Sequence, residues 1–295
     1  MKLIFLAFSI FMVFTQPLSA QSKFSVQAKV QHACVVDEKT RDYTNFQFSY
    51  SDYDLIPYIA KPKIINIKIA DKQLKTLDKK SMSKDKQLEE RFKIIHAVLP
   101  KDMNPKSFGY KDKRERFYYA LEQLTNNEKT IKDHNLPPVF MGKNIIFMAA
   151  MLQMIEKHQD TINYLQQADS YITVSDKNLY QALLALKARS YFKLNDMKSY
   201  KRDLDQLNNS LTNTTERIAI VDQELIYPLK ALQRNHEGSV IVSFKINPLG
   251  KPEQITFKSG KSTFKKAMKK SLVHYIFPTH SADETIVCKF NFNIL

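Results

Sequence analysis

Residues 237–260 read EGSVIVSFKINPLGKPEQITFKSG. Val240, Val242, Phe244 and Ile246 alternate with their neighbours, the period of a strand that buries one face. Asn247-Pro248-Leu249-Gly250 carries the residue types of a hairpin turn. Ile255 and Phe257 then resume the buried face on the returning strand. Three of the chain's five glycines, Gly238, Gly250 and Gly260, fall in this stretch, where tight turns between strands need them.

Working outward, Tyr227-Pro228 opens a short helix running to about Asn235. A proline is tolerated at a helix start because its missing N–H would have no partner there. Ser259-Gly260 leads into a second helix from Ser262 to about Tyr275, with Phe264, Ala267, Met268, Leu272 and Tyr275 as its apolar stripe. A last strand from Thr285 to Ile294 presents Ile286, Cys288, Phe290, Phe292 and Ile294 on one face. Helix packed on a three-stranded antiparallel sheet gives a two-layer core, and residues 223–295 form this unit.

Before it, residues 71–222 predict helical hairpins. Glycine is absent from Lys143 to Glu237, and loops fall near Asn104-Pro105, Pro137-Pro138 and Ser175-Asp176. Residues 177–207 resemble a tetratricopeptide repeat: Leu184, Ala188 and Tyr191 on the first helix, Asn195-Asp196 at the turn, Leu204 and Leu207 on the second. The preceding Ile145–Ala168 fits less well, with Ala149, Leu152, Leu165 and Ala168. Such hairpins must stack to bury their faces, either as a peptide-binding groove or as a spacer carrying the final domain. The whole is α+β, a helical-hairpin middle followed by a small α/β unit.

Residues 21–70 predict a small β-rich segment. Phe24 to Val36 alternate, as do Phe46, Phe48 and Tyr50, then Ile65, Ile67 and Ile69, with Pro57 and Pro62 between the second and third. Residues 1–20 have the form of an export signal: Lys2, an apolar run from Leu3 to Phe14, the break at Gln16-Pro17, and Ser19-Ala20 as a cleavage site before Gln21. Twelve apolar residues make a helix of ~18 Å against a bilayer core of ~30 Å, too short for an anchor. The expectation is a mature protein in an exported compartment.

The formal charge is +15. In an exported chain this does not indicate nucleic acid; it fits an acidic partner, an anionic envelope surface, or simply a solvated lysine-rich exterior. Lys265, Lys266, Lys269 and Lys270 concentrate it on one helix face. Cys34 and Cys288 could bond in an oxidising space. Each sits on the inward face of its strand pattern, where a thiol behaves as a small hydrophobe. Bonding requires those two faces to meet with Cα atoms within ~7 Å, and the pattern alone leaves the question open.

No catalytic constellation is present. The seven histidines are scattered, with no metal-ligand spacing. Lys258-Ser259-Gly260-Lys261-Ser262 imitates the end of a phosphate-binding loop, but Ile255 stands where the leading glycine is required. No nucleophile elbow occurs. Neither an enzyme, nor a metal, nor a cofactor is expected.

Tyr227-Pro228-x-x-Ala231, Glu237-Gly238-x-Val240, Pro248-x-Gly250-Lys251, Ser259-Gly260, Ala267 and Phe277-Pro278, in this order, resemble the carboxy-terminal domain of TonB-family proteins. The resemblance covers about a quarter of the chain. It implies a periplasmic domain that captures a segment of an outer-membrane or periplasmic protein by strand addition. The contacts it implies are Tyr227 and Pro228, and Val287, Lys289 and Asn291 on the last strand. An energy-coupling TonB also needs a histidine-bearing membrane helix and a proline-rich linker. Here the first histidine is His32, outside the apolar run, and no proline-rich stretch exists. The usual Trp before Phe-Pro is replaced by His274-Tyr275-Ile276. The expected function is therefore binding and scaffolding in the envelope. The alternatives are an accessory or energy-transducing role in TonB-dependent transport, and, without any supporting motif, an envelope hydrolase.

Overall fold

A computed structural model describes residues 28–36, 64–99, 105–210, 227–277 and 285–294. The helical part comprises α1 (Ile67–Asp78), α2 (Lys84–Val98), α3 (Pro105–Phe108), α4 (Lys111–Asp133), α5 (Pro138–Met154), α6 (His158–Ala168), α7 (Lys177–Lys193) and α8 (Met197–Ser210). Its core unites Phe92, Phe117, Phe147, Leu165, Leu186 and Leu204 with their neighbours. Buried amides clamp successive helices: Asn144 Nδ2 donates to Leu124 O at 3.0 Å, tying α5 to α4. Gln153 Nε2 donates to Leu186 O at 2.9 Å and Ser190 Oγ at 2.8 Å, tying α5 to α7. Each such pair satisfies a polar group that would otherwise be costly inside a core.

Three helix ends, those of α4, α5 and α7, share one device. Asn135, Glu156 and Asn195 have φ of 48°, 59° and 60°. The amides just after them, of Leu136, Lys157 and Asp196, donate back to Ile131, Leu152 and Tyr191 at 3.0, 3.0 and 2.9 Å. This left-handed cap closes the last turn and redirects the chain into the next helix. Two hairpins result, α5–α6 and α7–α8, with the predicted turn Asn195-Asp196 in place.

One expectation in this region fails. Ile65, Ile67 and Ile69 predicted a strand, but Ile67 begins α1, and Asn66 caps it by accepting the Ile69 amide at 2.9 Å. The winning pattern is Ala70, Leu74 and Leu77, the buried helical stripe of α1, while Ile69 stays exposed. The pattern at Phe46, Phe48 and Tyr50 and the export signal lie outside the described residues.

Burial of His96 carries a consequence. The ring meets Phe147 edge-on at 5.9 Å, and desolvation pushes its pKa from 6.5 down to about 4. Below 6.5 the unfolded chain takes up this proton and the folded chain does not, so stability falls between pH 6.5 and 4 and this contribution levels off below that. The loss is on the order of 3 kcal/mol. Urea titrations at pH 7 and 4.5 should show it in the wild type and not in His96→Gln; an equal pH dependence in both refutes the assignment.

The remaining elements are β1 (Ala28–Val36), α9 (Leu229–Gln233), β2 (Gly238–Ile246), β3 (Pro252–Ser259), α10 (Ser262–Leu272) and β4 (Thr285–Ile294). The three expected strands form, and β1 joins them, giving an antiparallel sheet of order β1-β4-β2-β3. Residues 28–36 are thus a strand, as their alternation predicted, but belong to the carboxy-terminal sheet rather than to a separate amino-terminal segment.

The four-stranded arrangement resolves the cysteines. Cys34 and Cys288 are register partners, and Cys288 is disulfide-bonded. The sequence holds no third cysteine, so the bond joins β1 to β4. The inward faces meet because the two strands are neighbours in one sheet, which single-strand patterns do not reveal.

Candidate partner-binding site

Val240, Val242, Phe244, Ile246, Ile286, Cys288, Phe290 and Phe292 are buried on one sheet face. α10 covers this face through Phe264, Met268 and Leu272, and Phe264 stacks on Phe292 with ring centroids 4.4 Å apart. The four lysines follow from this packing. Lys266, Lys269 and Lys270 are exposed and Lys265 is half-buried, on the side of α10 away from the core.

The hairpin turn is built by Asn247, whose Oδ1 accepts the amides of Leu249 and Lys251 at 3.0 Å each. Gly250 takes φ +75°, and its carbonyl accepts the Phe277 amide at 2.8 Å. The same turn docks the domain on the helical part: the Tyr200 hydroxyl of α8 donates to Leu249 O at 2.7 Å, and Ile276 belongs to the helical core. Burial holds the Tyr200 hydroxyl protonated well above the usual phenol range. Tyr200→Phe removes this donor and should cost ~1–2 kcal/mol. Faster hydrogen exchange at residues 247–250 is the readout, and unchanged exchange counts against the joint.

Tyr227 is half-buried rather than open. Its ring packs edge-on against Phe264 and Phe292 at 5.8 and 5.7 Å, and its hydroxyl donates to His236 O at 2.5 Å. Pro228 precedes α9 and is also half-buried. Val287, Lys289 and Asn291 occupy β4 on the face away from α10. Val287 is fully buried, and the other two are intermediate. Their register partners on β2 are Ser243, Ile241 and Ser239. On the other side they face Val35, Ala33 and Gln31 of β1.

The side of β4 away from β2 is therefore filled by β1. Nine consecutive residue pairs, from Ala28↔Ile294 to Val36↔Ile286, run without a register shift. Sequence reading placed the last strand and its alternation correctly but missed this occupant. A cysteine on the inward face of each strand pattern was the available signal.

The opposite rim is different in kind. β3 begins at Pro252, which has no N–H; Gln254 takes φ +52°; and its pairing with β2 shifts register twice. Exposed Glu253 and Lys258 complete an edge protected against further pairing.

Residues 223–294 match the family model of the Gram-negative bacterial TonB protein C-terminal. The match covers the sheet from β2 to β4 with α9 and α10, and leaves β1 and the helical part outside it. It relates this TonB-like domain to envelope proteins of TonB-dependent transport, a family of protein–protein contacts. No curated protein and no solved structure matches the chain.

Other chemistry is thin. Among the described residues no cluster of His, Cys, Asp or Glu is arranged to hold a metal, and no helix is long and apolar enough to cross a membrane. A cavity of about 1120 Å³ lies along α1 and α2, with Lys68, Ile69, Lys72, Lys80, Glu89 and Phe140 in its lining. None of its lining residues belongs to the TonB-like domain.

Proposed function

We propose that the chain is an exported, periplasmic protein-binding and scaffolding module that captures an extended segment of another envelope protein on its TonB-like domain. The observation that carries this reading is the β4 edge, which accommodates a nine-residue antiparallel strand in continuous register. Backbone hydrogen bonds along such an edge supply affinity, and alternate side chains supply selectivity. The family match to residues 223–294 points to outer-membrane transport proteins as the partner class. Val287, Lys289 and Asn291 then lie beside the visitor, with Tyr227 and Pro228 bracing the domain from its amino-terminal side. The helical hairpins hold the domain through Tyr200 and Ile276. Lys265, Lys266, Lys269 and Lys270 offer an acidic partner or an anionic envelope surface a second point of attraction.

The test is photo-crosslinking in cells, with a benzoylphenylalanine at position 289 of a chain carrying Cys34→Ala so that β1 is not bonded to β4, followed by mass spectrometry of the adducts. A segment of an outer-membrane or periplasmic protein is the expected product. Adducts to lipid or wall polymer alone, or cleavage of wall polymer by the purified chain, would remove the reading.

A further inference from the structure

We infer that β1 is a resident ligand of the β4 edge, so that a visiting strand gains this edge only by replacing Ala28–Val36, and that the disulfide of Cys288 sets how readily it can. The inference rests on the strand-addition reading above and adds its regulation.

A strand edge offers one row of donors and acceptors, and one antiparallel strand consumes it. β1 takes the whole row, since its nine residues pair with Ile286–Ile294 of the ten-residue β4. The protected β3 rim provides no equivalent site. Even without a crosslink, a segment of the same chain competes as an intramolecular ligand, without a second molecule having to be brought in. The disulfide goes further, because β1 cannot leave while one of its residues is bonded to the centre of β4. Cys288 is fully buried, so the bond is held inside the unit it closes.

The resident strand also specifies its replacement. Val30, His32, Cys34 and Val36 stand opposite Phe292, Phe290, Cys288 and Ile286, the residues that line the core beneath α10. A competing segment needs about nine extended residues that, like Val30, Cys34 and Val36, are mostly small or apolar at these alternate positions, and no proline between them.

The probe is a fluorescein-labelled peptide of sequence Ala28–Val36 carrying Cys34→Ser, titrated by fluorescence polarisation against three full-length proteins. These are the oxidised wild type, Cys34→Ala, and Cys34→Ala combined with Gln31→Pro and His32→Pro. Adjacent prolines remove a ladder N–H of β1 whichever way its alternation runs. No saturable binding is expected for the wild type, weak binding for Cys34→Ala, and binding at least tenfold tighter for the triple variant. Equal binding to the wild type and the triple variant overturns the occlusion while leaving strand acceptance standing. No binding to the triple variant, with β2 amides still protected from hydrogen exchange, overturns strand acceptance itself. Hydrogen exchange on the wild type and Cys34→Ala gives an independent reading. Amides of residues 28–36 should exchange at least tenfold faster once the bond is absent, with β2 unchanged; identical protection overturns the role of the disulfide.

Discussion

Phe264→Ala is expected to unfold the TonB-like domain and leave the helical stack folded. Phe264 is fully buried, stacks on Phe292 and meets Tyr227 edge-on, and its ring lies 3.2 Å from where a Cβ on Gly238 would stand. Truncation therefore removes contacts to Tyr227 ahead of α9, to β2 and to β4 at once. Deleting a buried phenylalanine costs ~3–5 kcal/mol, and a core of this size supplies little more than ~3–5 kcal/mol of net stability. The helical part has a separate core, to which Ile276 is the contribution from the TonB-like domain. Region-resolved hydrogen exchange should show lost protection in β2, β4 and α10 with α2, α5 and α7 unchanged. Uniform loss across both parts would mean a single cooperative unit and would sink the prediction.

Gly260→Ala is the second large effect. Gly260 opens the β3-to-α10 connection at φ +112°, a conformation that side chains rarely adopt. A Cβ there would stand 2.8 Å from Ser239 O, 2.8 Å from Val240 Cγ2 and 3.0 Å from Val240 Cα. Two of these atoms are backbone of β2, which is held on both sides by pairing and cannot step aside cheaply. Backbone strain alone costs ~1–3 kcal/mol, and the clash adds to it. The expected outcome is a loss of about 3 kcal/mol or more in denaturant titration of the domain, with the helical transition unshifted. A loss below 1 kcal/mol would show that the turn relaxes freely.

Much of this architecture was legible in residue order. The alternation at Val240–Ile246 and Ile286–Ile294, the turn at Asn247–Gly250 and the stripe Phe264, Met268, Leu272 each specify a local element. Each element is short enough for its own period to dominate. The helix ends at Asn135, Glu156 and Asn195 were harder, because only one of them, Asn195, sat in a recognisable turn dipeptide. Ile65–Ile69 misled because three isoleucines at period two are compatible with either state, and the buried stripe Ala70, Leu74, Leu77 lies downstream of them.

The sequence by itself determined the type of nearly every described element and the family to which residues 223–294 are matched, since hydrophobic period and turn chemistry are local. Tertiary structure alone decided that Ala28–Val36 lies against β4, from which the whole helical region separates it in sequence, and hence that the two cysteines face each other. Strand patterns state which face is buried but not which strand is adjacent. Pairing between segments so far apart depends on where the intervening helices return the chain, and no local period encodes that.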